Sequence, residues 1–290
     1  MIRTSRAPAK INLTLRVLGR RADGFHELES LCAFAGVHDL VSLDPSGPLG
    51  LTVDGPTAEA AGPDSDNLII RAARALAERV PGLKLGAFTL KKRLPVGAGV
   101  GGGSSDAATA LRLLTELNEI AVSDPRVLEA AAATGSDIPV CLTPTARIFR
   151  GRGDEVGPPV PLPPLMSVLV NPGIHVATPA VFGALGLERG ASGPSKGAAT
   201  ALPEGTDLAG LIRYFDSDVN DLEPPAQKVA PEIATVISAV RNAPACRFAR
   251  MSGSGSTVFG LFENCRDASA AAKAISAAHP DWWVKPTVLR

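Results

Sequence analysis

The chain has 290 residues, of which 45% are hydrophobic and 20% are charged, and its formal net charge at pH 7 is zero. This length suffices for two domains with buried cores, and the neutral balance argues against nucleic acid or an anionic membrane as the main partner. The four cysteines form no CxxC pair, the N-terminus lacks a signal peptide's apolar segment, and no apolar run reaches membrane-spanning length. These features indicate a reducing, cytoplasmic location.

The first predicted element is a β-strand at residues 7–18, where apolar and polar side chains alternate. Lys10 and Asn12 would share its polar face, about 7 Å apart along the strand. On this pattern alone, Lys10 is a solvated lysine of an edge strand.

A turn at Asp23-Gly24 follows, and it presents an aromatic ring, Phe25, and an imidazole, His26, at a loop tip. A ring in such a place can stack on a nucleobase, and an imidazole can hydrogen-bond to one. Taken alone, however, His26 is a surface histidine.

Strands and one helix are predicted before the central motif. Residues 31–54 alternate loosely and predict strands, and the segment from Asp64 begins a helix that ends at Pro81-Gly82. A further strand contains residues 88–90. Lys92 and Arg93 then either reach a bound phosphate or form a solvated basic pair.

The central motif is the segment Leu94–Ala108, in which five glycines fall within seven positions. Glycine has no Cβ and so permits close approach of the backbone to a ligand. Ser104, Ser105 and Asp106 are predicted to open a helix, because apolar residues recur at helical spacing from Ala107 onward. Glycines that run into a helix start create an anion site, and phosphate is the usual anion.

Three other interpretations of this motif fit less well. A Walker loop needs Gly-Lys-Ser/Thr at its end, and Gly103 is followed directly by Ser104. The dinucleotide pattern GxGxxG is satisfied by residues 97–102, but it should follow a buried parallel strand rather than Lys-Lys-Arg-Leu-Pro. A flexible linker would have no periodic helix behind it.

A helix is predicted from Asp124-Pro125 to Gly135, since proline suits the first helical position. Asp137 follows, and its local pattern is that of a simple helix N-cap. A strand at 145–150 and a turn at 151–156 come next, and the turn is expected to line the same cleft as the central motif.

Five prolines within residues 158–164 predict a stiff connector, so we place a domain boundary there, with domains at 1–158 and 165–290. The second domain reads as helices on a sheet, with helices starting at Thr178 and over 268–278 and a final strand at 283–289. Residues 187–206 are predicted to form a mobile loop. Met251–Thr257 reads as a tight glycine turn.

The central motif resembles the ATP loop of the GHMP kinase superfamily. Further resemblances lie at Pro-Ala-Lys-Ile-Asn-Leu (8–13), Asp-Gly-Phe-His (23–26), Gly-Ser-Asp-Ile-Pro (135–139), Asn-Asp-Leu-Glu (220–223) and the turn at 251–259. The run Gly-Gly-Gly-Ser-Ser-Asp-Ala-Ala is closest to the member that phosphorylates a cytidyl diphosphate intermediate of non-mevalonate isoprenoid synthesis. The resemblance implies an α+β, two-domain GHMP kinase fold with the nucleotide and substrate cleft between the domains.

The resemblance also implies site residues. Asp137 would be the catalytic base, and Lys10 would pair with it and stabilise the developing alkoxide. Asn12, Phe25, His26 and Asp137 would bind the substrate, although the family has tyrosine where this chain has Phe25. The ATP loop would comprise Pro95, Val96, Gly97, Ala98, Gly99, Val100, Gly101, Gly102, Gly103, Ser104 and Ser105.

The implied activity is ATP-dependent phosphorylation of a hydroxyl on the cytidyl diphosphate substrate, with Mg²⁺ as cofactor and no nucleic-acid or membrane partner. Ser105 or Asp106 could contact the Mg²⁺ either directly or through water, and both modes stay open at this point. The enzyme is expected to be a monomer or a weak homodimer. The alternatives are a mevalonate- or homoserine-type kinase, a non-catalytic nucleotide-binding module, and a dinucleotide oxidoreductase.

Overall fold

The computed structural model describes residues 1–59, 66–197, 202 and 205–290. The chain forms two compact units, each drawn from several segments. Unit 1 comprises Met1–Lys10, Val37–Val96 and Gly101–Pro144, and unit 2 comprises Ile11–Gly36, Gly97–Val100 and Thr145–Arg290. The predicted domain boundary at 158–165 cuts the chain once along its sequence, whereas these two units are defined by contacts between separate segments. The predicted boundary therefore stays a prediction. None of the helices in the described ranges combines the length and the hydropathy needed to cross a membrane.

Unit 1 contains a small sheet covered by helices. Residues Leu40–Asp44 of strand β3 pair antiparallel with β5, and β4 pairs parallel with the other edge of β5. Its strands are β1 (Arg3–Asn12, the last two residues counted with unit 2), the second half of β3 (His26–Asp44), β4 (Gly50–Asp54) and β5 (Ala87–Lys91). Its helices are α1 (Leu68–Arg79), α2 (Gly102–Asn118), α3 (Pro125–Thr134) and α4 (Ile138–Cys141).

Polar N-cap side chains or glycines mark the starts of helices α1, α2 and α3 in unit 1. Asn67 caps α1 by accepting a hydrogen bond from the Ile69 N–H, and the predicted start at Asp64 lies outside the described residues. Asp124 caps α3 with proline at the first position, and Gly135 ends that helix, which confirms the prediction. The predicted start of α2 at Ser104 is wrong by two residues, because the helix begins at Gly102.

The first predicted strand is divided in the structure. The prediction of one strand over residues 7–18 is wrong, because β1 ends at Asn12 and β2 covers Arg16–Arg20. Between them the Leu15 N–H donates to the carbonyl of Val219, and the Leu15 carbonyl accepts from the N–H of Asp221, so Leu15 forms an isolated bridge with the segment at 219–221. The expectation of one solvated face is also wrong, because Lys10 and Asn12 are both buried.

Unit 2 is built on an antiparallel sheet with the order β3–β11–β8–β10–β9. The first half of β3 also pairs with β2 and β6, and β6 pairs with β7. Its further strands are β6 (Arg147–Gly151), β7 (Glu155–Pro159), β8 (Leu165–Asn171), β9 (Phe248–Met251), β10 (Val258–Phe262) and β11 (Trp283–Leu289). Strand β7 includes the first prolines of the predicted connector.

Helices pack on this sheet, as the sequence predicted. One hydrophobic core joins the inward faces of β8, β10, α8 and α9, and its members include Val168, Val236 and Ala271, all fully buried. The helices are α5 (Thr178–Leu185), α6 (Leu208–Ser217), α7 (Glu223–Val229), α8 (Glu232–Arg241) and α9 (Cys265–Ala278).

The segment that follows α5 is anchored over its described part. The backbone N–H groups of Gly190, Gly193 and Ser195 donate to carbonyls of β2. The Ser195 hydroxyl also donates to the Asp221 carboxylate at 2.6 Å. Residues 187–197 form a loop, as predicted, and these hydrogen bonds attach it to β2 and Asp221. Its mobility stays a prediction, and positions 198–201, 203 and 204 lie outside the described residues.

Candidate active site

The glycine motif ends at the amino terminus of the longest helix of unit 1. Gly97, Gly99 and Gly101 all have positive φ, at 62°, 73° and 59°, a region that L side chains rarely occupy. Gly101 is the N-cap of α2 and makes no side-chain capping bond. The first N–H groups of a helix have no partner within the helix and carry the positive end of its dipole. The start of α2 is therefore suited to bind an anionic group such as a phosphate.

An ion pair lies beside this helix start. Lys10 Nζ is 2.9 Å from Asp137 Oδ2, and the side chain of Lys10 is only 3% exposed whereas that of Asp137 is 38% exposed. A Cβ placed on Gly101 would lie 3.2 Å from both Cβ and Cε of Lys10, so the lysine runs directly against the N-cap of α2. The structure thus brings together Lys10, Asp137 and the helix start within unit 1.

This arrangement decides between the alternatives that the sequence left open for the pair. The interpretation of Lys10 as a solvated lysine of an edge strand is wrong, because Lys10 is buried. Asp137 does occupy the N-cap position of helix α4, as its local pattern predicted, but its side chain makes no capping bond and pairs with Lys10 instead. The half-exposed carboxylate can instead accept a proton from a hydroxyl held nearby.

A second lysine in unit 1 is enclosed by two carboxylates. Lys92 Nζ donates to Asp39 Oδ2 at 2.6 Å and to Asp106 Oδ2 at 2.7 Å, and all three side chains are buried. Asp39 Oδ1 also accepts from the backbone N–H groups of Arg93 and Leu94. Lys92 is therefore neither a solvated lysine nor free to reach a phosphate, whereas Arg93 is exposed. These contacts connect the residue that follows β5 to the second turn of α2.

This cluster has two carboxylates and one ammonium, and the pKa values of Asp106 and Lys92 are both shifted upward. Burial raises the pKa of Asp106 to about 7, with Lys92 opposing the shift and Asp39 adding to it. Burial lowers the pKa of Lys92, but the two carboxylates raise it more, so its net shift is upward. One ammonium cannot offset two buried carboxylates, so a proton resides at Asp106 over part of the neutral range. Among the described residues, Asp106 Oδ1 has no hydrogen-bond partner.

Unit 2 contains the middle of the glycine motif and a second glycine turn that holds it. The Thr257 N–H donates to the Ala98 carbonyl at 3.0 Å, and the Ser252 hydroxyl donates to the Gly99 carbonyl at 2.9 Å. The backbone N–H of Asn12 donates to the same hydroxyl of Ser252 at 3.0 Å. The turn predicted at 251–257 therefore shapes residues 97–100 directly.

The predicted substrate residues of unit 2 have different environments. The amide of Asn12 donates to the Ser30 hydroxyl at 2.7 Å. His26 stacks on Phe182 with 4.4 Å between the ring centroids, and its Nε2 is buried without a hydrogen-bond partner in the described part of the chain. Burial lowers the pKa of His26, and the positive charge of Arg20 lowers it further, so the imidazole is neutral at pH 7. Phe25 is 54% exposed.

Sequence reasoning missed two residues of this site. Asp39 lies within a strand, and no local pattern distinguishes it from other acidic residues. Phe182 lies in the helix predicted to start at Thr178, and nothing in that pattern indicates that it provides the ring against which His26 stacks. Only a partner remote in sequence identifies either residue. For metal binding, the described residues contain no group of three or more His, Cys, Asp or Glu side chains that could hold an ion.

Two family models match the chain. The model described as "GHMP kinases N terminal domain" matches residues 67–144, and the model described as "GHMP kinases C terminal" matches residues 198–281. The first range contains the glycine motif and Asp137. Together the two ranges cover more than half of the chain.

Relatives of known name match over almost the full length. The 4-diphosphocytidyl-2-C-methyl-D-erythritol kinase of Xanthobacter autotrophicus is 59% identical over 99% of this chain and 98% of its own length. The protein of the same name from Azorhizobium caulinodans is 55% identical, again over 99% of this chain and 98% of its own length.

Solved structures share the fold. A crystal structure of 4-(cytidine 5'-diphospho)-2C-methyl-D-erythritol kinase is similar with a TM-score of 0.76 and 35% identity, and the match covers 99% of both chains. Homoserine kinase from Cytophaga hutchinsonii has a TM-score of 0.68 at 17% identity, covering 100% of this chain and 94% of its own, which is a likeness of fold alone.

Proposed function

This chain belongs to the GHMP kinase family, and we propose that it transfers the terminal phosphoryl group of ATP to the 2-hydroxyl of 4-diphosphocytidyl-2-C-methyl-D-erythritol. The observation that carries the proposal is the Lys10–Asp137 ion pair, which lies against the N-cap of α2. High identity over nearly the whole chain to kinases with this named substrate supports the choice of acceptor.

The nucleotide phosphates would bind at the start of α2. Phosphoryl transfer depends on positioning and charge stabilisation more than on covalent chemistry. The N–H groups from Gly101 to Ser104 and the helix dipole supply fixed positive charge without any side-chain rearrangement, whereas the Ser105 N–H already donates to the Gly101 carbonyl. Because Lys92 is held by Asp39 and Asp106, it contributes to this site by fixing the helix start rather than by contacting phosphate.

Asp137 would remove the proton of the acceptor hydroxyl. The carbon that carries this hydroxyl also carries a methyl group, so the acceptor is a tertiary alcohol, which is less acidic and more hindered than a primary one. A base is therefore worth more here, and it must be well positioned. Lys10 holds the Asp137 carboxylate from one side, and its ammonium stabilises the negative charge that develops on the attacking oxygen.

The cytosine base would bind where aromatic side chains gather in unit 2. Phe25 offers an exposed ring for stacking, and Phe182 provides a second ring beside His26. The buried Nε2 of neutral His26 can donate or accept one hydrogen bond at the edge of the base. The amide of Asn12 is used by Ser30, so its contact with substrate would be through the carbonyl Oδ1.

Mg²⁺ would arrive with the nucleotide. This ion keeps several waters and is held in kinases by substrate phosphates with one or two carboxylates, rather than by an all-protein cage. Ser105 and Asp106 do not fit as direct ligands, because both are buried and Asp106 is engaged with Lys92. The described residues suit an ion carried by the phosphates, where it would offset their charge.

The expected location is the cytoplasm, and the four free thiols of the described residues support a reducing compartment. The prediction of a monomer or weak homodimer is checked by light scattering of the purified protein over a range of concentrations.

The proposed acceptor is tested by an ADP-release assay that offers the cytidyl substrate, mevalonate and homoserine side by side. We expect kcat/KM with the cytidyl substrate to exceed that with the other two by at least about 100-fold, since a site built for hydrogen bonds to one ligand rejects others strongly. Preference for mevalonate or homoserine would refute the proposed substrate and leave only the kinase fold.

The proposed base is tested by Asp137→Asn, which keeps the size of the side chain but removes its basicity. Turnover should fall by about 100- to 10,000-fold, whereas the Kd for ATP should be unchanged. Asp124→Asn is the matched control, because that aspartate caps α3 at the surface and should tolerate the change. Undiminished turnover in Asp137→Asn would exclude this residue as the base.

A further inference from the structure

A short turn in unit 2 holds an arginine in a fixed position. The turn Gly151–Asp154 contains two glycines with positive φ, 71° at Gly151 and 115° at Gly153. Asp154 accepts from the backbone N–H of Arg152 at 3.1 Å and from its guanidinium Nη2 at 3.0 Å. A single carboxylate therefore orients both the main chain and the side chain of Arg152.

The guanidinium of Arg152 lies over the ring of Phe25. Its Cζ is 5.0 Å from the ring centroid, within the range of a cation–π contact. Phe25 follows a turn in which its own N–H donates to Asp23 Oδ1 at 3.1 Å, and its side chain is 54% exposed. This ring therefore lies at a loop tip rather than in a packed core.

An exposed ring at a loop tip needs a partner before it can act as a rigid platform. Without one, it would sample several χ1 and χ2 angles, and a ligand that stacks on it would have to order it on binding. Arg152 covers part of the ring and is itself held by Asp154, so the three residues form a chain of contacts that fixes the ring.

We propose that Arg152 is a positioning residue of the cytidyl site, which holds the Phe25 ring so that its uncovered face can stack on the base. This inference rests on the proposed function and goes beyond it, because it concerns how the base site is formed rather than which ligand fills it. The charge of Arg152 is offset by Asp154, so its effect is exerted through the ring instead of through long-range attraction of the substrate's diphosphate.

The direct test is Arg152→Ala, with steady-state kinetics on both substrates. Loss of an exposed cation–π contact should raise KM for the cytidyl substrate by about two- to fivefold, with kcat and the KM for ATP unchanged. Arg152→Lys should recover part of the loss, because a lysine keeps the charge but not the planar group. Asp154→Asn should move KM in the same direction as Arg152→Ala through the loosened arginine.

A double-mutant cycle with Phe25→Ala separates this role from a structural one. If Arg152 acts through the ring, removal of the arginine should raise KM no further in the Phe25→Ala background. Arg247→Ala is the matched control, since Arg247 forms a surface pair with Glu263 at 3.1 Å and should leave KM unchanged.

Three results would overturn the inference. One is an unchanged KM in Arg152→Ala, and another is a lowered KM, which would mean that the arginine covers the face that the base needs. The third is an additive effect in the double variant, which would mean that Arg152 contacts the substrate itself. Failure of Phe25→Ala to raise KM would instead refute the proposed base site, and the inference would fall with it.

Discussion

Asp106→Asn should change how the stability of this protein depends on pH. The folded-state pKa of Asp106 is about 7, well above the 3.8 of an ordinary aspartate, because the group is fully buried beside a second carboxylate. Between pH 4 and 7 the folded protein therefore retains a proton that the unfolded chain has released. Stability from this group is fully present below pH 4 and is lost as pH rises through 7.

The magnitude follows from this difference in bound protons. One proton held only by the folded state changes the free energy of unfolding by about 1.4 kcal/mol per pH unit. Over the two units from pH 5 to pH 7 the wild type should lose about 2 to 3 kcal/mol through Asp106. Asparagine does not titrate, and its carbonyl can still accept from Lys92, so Asp106→Asn should not show this loss.

The assay is urea unfolding of both proteins at half-unit steps from pH 5 to pH 8. The quantity to compare is the difference in unfolding free energy between variant and wild type, because its slope is independent of any constant cost of the substitution. Asp124→Asn serves as control, since an Arg126 hydrogen bond lowers the pKa of Asp124 to about 2 and this group does not titrate in the window. Parallel curves for Asp106→Asn and wild type would refute the reasoning and mean that Lys92 keeps Asp106 ionised.

Three further substitutions test the loop and its anchors. Gly99→Ala should destabilise the protein by at least about 2 kcal/mol in urea unfolding. The new Cβ would lie 2.5 and 2.7 Å from two backbone carbonyl oxygens, and the φ of 73° is unfavourable for alanine. Wild-type stability would contradict the loop geometry. Gly101→Ala should lower kcat by about 10- to 100-fold by displacing Lys10, which a Cβ there would meet at 3.2 Å, and an unaltered kcat would show that the lysine adapts. Asn220→Ala should lower the free energy of unfolding by about 2 to 3 kcal/mol. The buried amide of Asn220 donates to two carbonyls of the second glycine turn, at 2.8 and 2.9 Å, and alanine would leave both without a donor. A cost below about 0.5 kcal/mol would mean that water replaces the amide.

Local sequence predicted the elements whose signals are local. The helix α3 and the strand β11 have the predicted bounds, because a cap, a proline or an apolar period defines each of them. The start of α2 was missed by two residues, since glycines are poor helix formers and only the surrounding structure draws Gly102 and Gly103 into the first turn. The prediction of one strand over residues 7–18 failed because the break in that strand depends on contacts with a distant segment at 219–221.

The residues of the candidate site likewise differ in how far their local sequence predicted them. Family resemblance pointed to Lys10 and Asp137, whereas their residue patterns alone favoured a solvated lysine and a helix cap. The ion pair joins positions far apart in the chain, and burial of the lysine depends on what covers both faces of its strand. No periodicity in the sequence carries that information.

What the sequence determined by itself was the glycine-lined start of a helix, because positive φ values and a bare backbone require glycine wherever the chain runs. Only the tertiary structure decided which charged groups of the chain meet their partners. Lys92 lies between Asp39 and Asp106, and Arg152 lies over Phe25, because folding brings separate strands and turns together. Burial then sets the strength of those contacts, since a charge removed from water needs a partner that only the folded chain can supply.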